Sequence, residues 1–367
     1  MVLVLGVLLW LAVVTAAVVP LLDEGAGPGP FAGRPPRCPG LELGVNSILP
    51  FEGASERAAT IDAMRTLLRP QVVRVSLLWN RIEPAEGKFD WSVPDSIVEQ
   101  LLAAGIEPLF TVIGSPPWAN HVPLTTPRQY LYVPRRGPEL EAWLARYKRF
   151  LAAAAERYGD AVRLWEIWNE PNLAGYWRPR PDPLAYRRVY TALRATILRA
   201  DPGARVAVGG LAAFTVAFPP NIAGHVFLRK LARAHVPLED VALHPYSTHD
   251  HAPNAHVQGQ NNFDAIEAIH RQLRGEGESA RVWVTEWGWS SALVGRWRQA
   301  RYLRRSLAML EHRYRFVRIA TYFTDRDLPS ERLFQGLLTE HLRPKPAARV
   351  FRAQASRLAA ECRRRTG

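Results

Sequence analysis

The 367-residue sequence holds only two cysteines and three methionines. Two thiols exclude a disulfide-dense small scaffold and any metal cluster built from four cysteines. No charged side chain precedes Asp23, so the usual basic start of an export signal is missing. No zinc-finger, RNA-recognition or helix-turn-helix signature accompanies the net charge of +13, which reads as a solvated basic surface rather than a nucleic-acid footprint. Its arginines are spread along helical stretches, as at Arg146, Arg187, Arg188, Arg304 and Arg305. No glycine-rich phosphate turn follows the first apolar run, where Gly44-Val45-Asn46-Ser47 stands. That argues against an open, doubly wound nucleotide-binding sheet. His249-Asp250-His251 and His256 lack a regular ligand spacing and read as a solvated loop; neither a metal nor a cofactor is implied.

What is present is globular in composition, with 48 % hydrophobic and 22 % charged residues. Three segments follow in order. Residues 1–22 are almost wholly Leu, Val and Ala, long enough to span a bilayer. They read as a signal peptide or a membrane anchor, which would place the protein outside the cell or on the outer face of its membrane. Residues 23–40 are rich in Pro and Gly and read as a linker. Residues 41–367 form one domain. There, short apolar runs at 41–48, 72–79, 108–113, 163–169, 205–211, 241–246, 281–286 and 318–323 alternate with helical patterns. Those patterns fall at 56–68, 93–104, 139–158, 183–199, 222–234, 264–273, 298–313 and 347–360. Gly105 and Gly159 follow two of them, where a left-handed C-cap suits glycine. Eight strands, each followed by a helix, predict an α/β fold: a single closed (β/α)₈ TIM barrel.

In such a barrel the chemistry gathers at the carboxyl ends of the strands. Polar residues collect there: Asn46, Arg74, Ser115, Asn169, Glu170, His244, Tyr246 and Glu286. Carboxylates ending the fourth and seventh strands are hard to place in a purely structural account. The residues around them carry a resemblance. Trp165-Glu166-Ile167-Trp168-Asn169-Glu170-Pro171-Asn172, with Tyr176-Trp177, resembles the acid/base segment of glycoside hydrolase family 39, a member of clan A. Residues 79–91 are similar to the segment after strand two across that clan, and Gln335-Gly336-Leu337-Leu338 with Pro344-Lys345-Pro346 to its exit from the barrel. The resemblance covers roughly residues 41–355.

It implies a retaining O-glycoside hydrolase acting on an oligo- or polysaccharide, with Glu170 as acid/base and Glu286 as nucleophile. Asn169 would hold the sugar 2-hydroxyl, while Arg74 and Tyr246 would orient Glu286 with His244 near them. Trp118, Trp287 and Tyr322 would meet substrate, Tyr322 standing where the clan commonly has Trp. Chemistry agrees: one carboxyl must deliver a proton and the other meet an oxocarbenium-like carbon, and close carboxylates raise one pKa. Glu166, deeper in its strand, reads as a structural hydrogen-bonding residue, and Glu83 as ordering its own loop. A transglycosylase on the same barrel and a non-catalytic carbohydrate-binding barrel are the alternatives; no room remains for the β-sandwich of family 39 xylosidases.

Cys38 and Cys362 lie just before the first strand and after the last helix. Both chain ends of a barrel fall on the face opposite the active site, so the two thiols are candidates for a disulfide. Export and the basic charge together suggest an anionic substrate or matrix. Activity on a polyanionic glycan should then fall steeply as salt rises, because exposed charges are screened beyond about 8 Å at physiological ionic strength. A kcat/KM independent of salt on every active substrate contradicts that reading.

Overall fold

Eight parallel strands close on themselves in the order β1 to β8, the last pairing with the first. The computed structural model describes residues 31, 34, 35, 38–258 and 261–366. The strands are β1 (Glu42–Asn46), β2 (Val72–Leu78), β3 (Glu107–Ile113), β4 (Leu164–Asn169), β5 (Arg205–Ala212), β6 (Asp240–His244), β7 (Arg281–Val284) and β8 (Val317–Tyr322). Outside them run α1 (Ala54–Ala63), α2 (Ser92–Ala103), α3 (Pro138–Tyr158), α4 (Pro183–Ala200), α5 (Gly224–Arg233), α6 (Ala265–Gly275), α7 (Arg296–Ala308) and α8 (Pro346–Thr366). The single-domain barrel read from the apolar periodicity is therefore the fold. Residues 1–22 lie outside the described residues; among those described, no helix is long and apolar enough to cross a membrane.

Local chemistry sets these elements. In α3, Pro138 opens the first turn after Gly137, Glu139 and Glu141 sit at the positive end of the helix dipole, and Arg157 sits at the negative end. Its buried residues, Leu140, Trp143, Leu144, Tyr147, Leu151 and Ala154 among them, recur every three or four positions and lay one stripe on the barrel. Asp182 caps α4 by accepting from the Leu184 and Ala185 amides at 3.0 and 3.1 Å, worth about 1 kcal/mol. Gly105 has a φ of +71° after α2, the left-handed form expected of it. Gly159 does not: its φ is −52°. Its smallness serves a close approach instead, since a Cβ there would lie 2.8 Å from the Ala155 carbonyl oxygen.

The barrel interior is layered. Val72, Leu109, Leu164, Ala207, Ala242, Trp283 and Ile319, one from each of seven strands, form an apolar plug separate from the larger core between strands and helices. On the remaining strand, β1, Gly44 takes this level, where a Cβ would press 2.2 Å from the Val72 carbonyl oxygen. Below the plug, ion pairs onto two buried carboxylates seal the base: Arg163 on Glu107, and both Arg205 and the exposed Arg281 on Asp240. Above it, the inward positions turn polar.

The described part of residues 23–40 is held against the base rather than hanging free. Phe31 packs its ring 5.5 Å from that of Tyr158, and Arg34 pairs with Asp201. Cys38 and Cys362 are joined, closing a loop across 324 positions. A loop this long contributes about 6 kcal/mol in the chain-entropy account, above the roughly 2–5 kcal/mol usually lost when a native disulfide is removed. Cys362→Ser should therefore lower the denaturation free energy by about 2–5 kcal/mol, and dithiothreitol should lower the wild-type midpoint but leave the variant's unchanged. Equal midpoints for oxidised wild type and variant contradict it.

Candidate active site

The polar layer is organised by one guanidinium. Arg74, on β2, donates from Nε to Glu166 Oε2 at 2.6 Å. Its Nη1 reaches Asn46 Oδ1 at 2.7 Å and Glu286 Oε1 at 2.8 Å, and its Nη2 reaches Asn169 Oδ1 at 2.9 Å. Burial alone would depress Arg74, but Glu166 and Glu286 hold it above the ordinary guanidinium value. Asn46 is fixed in turn, its Nδ2 donating to the carbonyls of Thr285 and Thr321.

Glu166 is fully buried and its oxygens are all occupied. Oε2 also accepts from Thr111 Oγ1 at 2.6 Å, and Oε1 accepts from the Gly210 amide at 2.7 Å and Thr285 Oγ1 at 2.8 Å. It orients its neighbours and has nothing left to offer a substrate. Gly210 is required for this contact, because a Cβ there would lie 2.0 Å from His244 Nε2. This glycine pair inside a strand, Gly209-Gly210, is a sequence signal of close backbone approach that the motif reading passed over.

Beyond Glu166 the strand departs from simple alternation. Trp168 has a φ of +73° and Glu170 one of +44°, both uncommon for side-chain-bearing residues and typical of functional sites. The first kink turns the Trp168 indole outward, onto Trp143 and Trp177, with its N–H on the Tyr176 carbonyl at 2.8 Å. Asn169 and Glu170 therefore both face the mouth, although they are sequence neighbours.

Glu170 and Glu286 meet across that mouth. Glu170 Oε1 lies 3.0 Å from His244 Nδ1, and Glu286 Oε2 lies 3.6 Å from the same nitrogen. Tyr246 donates its hydroxyl to Glu286 Oε2 at 3.2 Å. Burial, then the facing charge of Glu286, pushes the Glu170 carboxyl well above the usual range. Burial also raises Glu286, but Arg74 and the Tyr246 hydroxyl oppose it. Burial and the nearby Arg74 hold His244 well below the ordinary imidazole value, so the ring is neutral. Tyr246 stays protonated, its pKa raised by burial and by both carboxylates.

Three expected substrate contacts are placed elsewhere. Trp287 is fully buried, gives its indole N–H to Ser306 Oγ at 3.1 Å and sets its ring edge-on to Tyr322 at 5.3 Å. The end of β7 explains the correction: Trp283 and Thr285 face inward by alternation, Glu286 breaks it by facing the mouth as well, and the next residue is turned to the helices. Tyr322 is corrected by alternation itself. Thr321 occupies the inward position, and the buried Tyr322 hydroxyl sits behind the strand, 3.5 Å from Gln299 Nε2. Beside Tyr246 at the mouth stands the half-buried Phe323, edge-on to it at 6.4 Å. Trp118 is also outside the cluster, with its indole N–H on the Glu83 carbonyl at 3.0 Å and its ring edge-on to Trp79. Glu83 itself closes its loop, accepting from Trp79 Nε1 and the Gly87 amide.

The model of glycosyl hydrolases family 39 matches residues 77–332. A β-xylosidase from Geobacillus stearothermophilus is 27 % identical over 181 residues, covering 44 % of this chain but 31 % of that enzyme; the match thus takes in less than a third of that relative's length. A family 39 glycoside hydrolase from Bacteroides cellulosilyticus WH2 superposes with a TM-score of 0.67 at 22 % identity, over 86 % of this chain and 64 % of the other. A monomeric β-xylosidase from Caulobacter crescentus CB15 gives 0.60 at 21 % identity, over 87 % and 69 %. At these identities the superpositions speak for the barrel alone. The family match runs from the end of β2 through β8 and across both mouth carboxylates, and the chain belongs to glycosyl hydrolases family 39.

Proposed function

We propose that the protein is a retaining glycosidase acting on an oligo- or polysaccharide, with Glu170 as acid/base and Glu286 as nucleophile. The observation that carries this reading is the shared nitrogen: both carboxylates lean on His244 Nδ1, at 3.0 and 3.6 Å. Taken end to end, those contacts only just reach the separation of about 6.5–9.5 Å used by inverting enzymes, and only with the oxygens on opposite sides of the nitrogen. Any bent arrangement favours the roughly 5–5.5 Å of direct attack.

The hydrogen count around His244 explains how the acid is kept loaded. Thr285 Oγ1 gives its one hydrogen to Glu166 Oε1, so toward His244 Nε2, 3.1 Å away, it is an acceptor. The neutral ring then carries its hydrogen on Nε2 and presents a bare Nδ1. A carboxylate has no reason to approach a bare nitrogen at 3.0 Å, whereas a carboxylic acid donates to it. Glu170 therefore rests protonated. When a glycoside binds, Glu170 passes that proton to the leaving oxygen as Glu286 bonds to the anomeric carbon. Water next attacks that carbon, giving its proton to Glu170 and freeing Glu286. Asn169, held by Arg74, is positioned for the sugar 2-hydroxyl. The Cys38–Cys362 disulfide supports an exported protein, since such bonds persist in oxidising compartments.

Activity needs Glu286 ionised and Glu170 protonated, so kcat/KM should rise through the pKa of Glu286 and fall through that of Glu170. Both are raised, Glu170 further, which moves the whole window above the ordinary carboxylate range. Thr285→Val removes the acceptor that fixes the His244 tautomer; the basic limb should shift to lower pH while the acid limb stays. An unmoved basic limb contradicts the proton-holding chain.

The two carboxylates should also fail differently. Glu286→Ala should lose attack on every substrate, with azide restoring turnover and giving product of inverted configuration. Glu170→Ala should still be glycosylated by aryl glycosides with good leaving groups, and azide should give product of retained configuration. Wild-type product followed by NMR should appear first as the substrate's own anomer. The opposite anomer appearing first would mean an inverting enzyme and would sink the scheme.

A further inference from the structure

We propose that the groove between α7 and α8 is a second carbohydrate site, outside the barrel mouth, that takes an acidic polysaccharide chain. The groove holds about 790 Å³, with Arg301 and Arg304 on the α7 wall, Arg349 and Arg357 on the α8 wall, and Leu307 and Val350 between them. Not one Asp or Glu lines it. Glu311 and Glu361 compensate Arg357, but Arg301, Arg304 and Arg349 form no ion pair among the described residues. At the rim stands Trp297, 78 % exposed. A second hollow, of about 330 Å³ and lined by Arg296, Arg298 and Arg301, also borders Trp297.

Each feature asks for the same ligand chemistry. Clustered guanidiniums repel one another, and a polyanion relieves that repulsion while filling their planar donor forks with carboxylate, sulfate or phosphate oxygens. An open indole face matches the apolar face of a sugar ring, which carries the C–H bonds. The shape asks for one polymer strand. Arg349 to Arg357 spans eight residues, about 12 Å of helix, and a strand follows a trough between two helices where a flat bilayer cannot. A second copy of the chain is a poor occupant, because its net charge of +13 opposes approach to a basic groove.

The position gives the site a use. Trp297 and Pro346 open their helices, at the end of the barrel that carries the carboxylates. A polymer seated in the groove is therefore held beside the mouth, which raises its local concentration there. The link to cleavage rests on the glycosidase reading; the binding itself does not.

The test measures binding of polygalacturonate to the full chain by affinity electrophoresis and calorimetry, without reference to turnover. Trp297→Ala and the pair Arg301→Glu/Arg349→Glu should each weaken it about tenfold or more, the loss expected on truncating a central aromatic or charged anchor. Hydrolysis of a small aryl glycoside should stay at the wild-type rate. The same charge reversal on another face, Arg187→Glu/Arg199→Glu, should leave binding unchanged. Equal weakening by both charge-reversal pairs overturns the proposal, as does full binding by Trp297→Ala. So does tighter binding to phosphatidylglycerol vesicles or to a thymidine oligonucleotide than to polygalacturonate. A chain that binds through Trp297 yet cleaves no glycoside would sink the glycosidase reading and leave this one standing.

Discussion

The mouth of the barrel depends on the burial of one positive charge. Arg74 sits between Glu166 and Glu286 with 6 % of its surface exposed, and its donors reach four side chains, one on β1, two on β4 and one just beyond β7. A guanidinium this deep is tolerated only where carboxylates and amides face it from several sides. That requirement fixes the inward register of β1, β2 and β4 and the turn of Glu286 toward the mouth beyond β7. The division of labour between the carboxylates follows. Glu166, satisfied by four donors, is structural; Glu286, reached by Arg74 and Tyr246, keeps an edge toward the mouth; Glu170, which Arg74 does not touch, is left as the group that holds a proton.

Stability and chemistry are separated along the barrel axis. The apolar plug from Val72 to Ile319 divides the ion pairs of the base from the polar layer of the mouth. The base pairs neutralise Glu107 and Asp240 with arginines from neighbouring strands. Through the plug, a change in one polar layer reaches the other only by way of packing.

Much of this was legible in the sequence, because buried parallel strands and amphipathic helices have different hydrophobic periods. Every strand boundary read from periodicity lies within two residues of the observed one, and Glu170 and Glu286 stand just beyond β4 and β7, facing each other across one mouth. What escaped has a common cause: the inward-or-outward sense of a residue past the regular strand. Trp287 and Tyr322 looked like sugar platforms because they adjoin mouth residues, but alternation sends Tyr322 into the helical layer and the break at Glu286 sends Trp287 there. Trp168 breaks alternation in the opposite sense through a left-handed backbone, which no side-chain pattern records. The arginines illustrate a longer-range limit. They look evenly spread along the chain, yet two helices distant in sequence bring Arg301, Arg304 and Arg349 to one trough.

The disulfide between Cys38 and Cys362 also has a mechanical meaning. The two cysteines flank the seam where β8 pairs with β1, the one strand junction of the barrel that no helical crossover bridges. Tension applied to the chain ahead of Cys38, as when a protein is held at one end against flow or a moving polymer, would otherwise peel β1 from β8 one hydrogen bond at a time. With the sulfurs joined, the load passes directly into α8 and the seam bears none of it. The barrel behaves as a hoop closed covalently at its base.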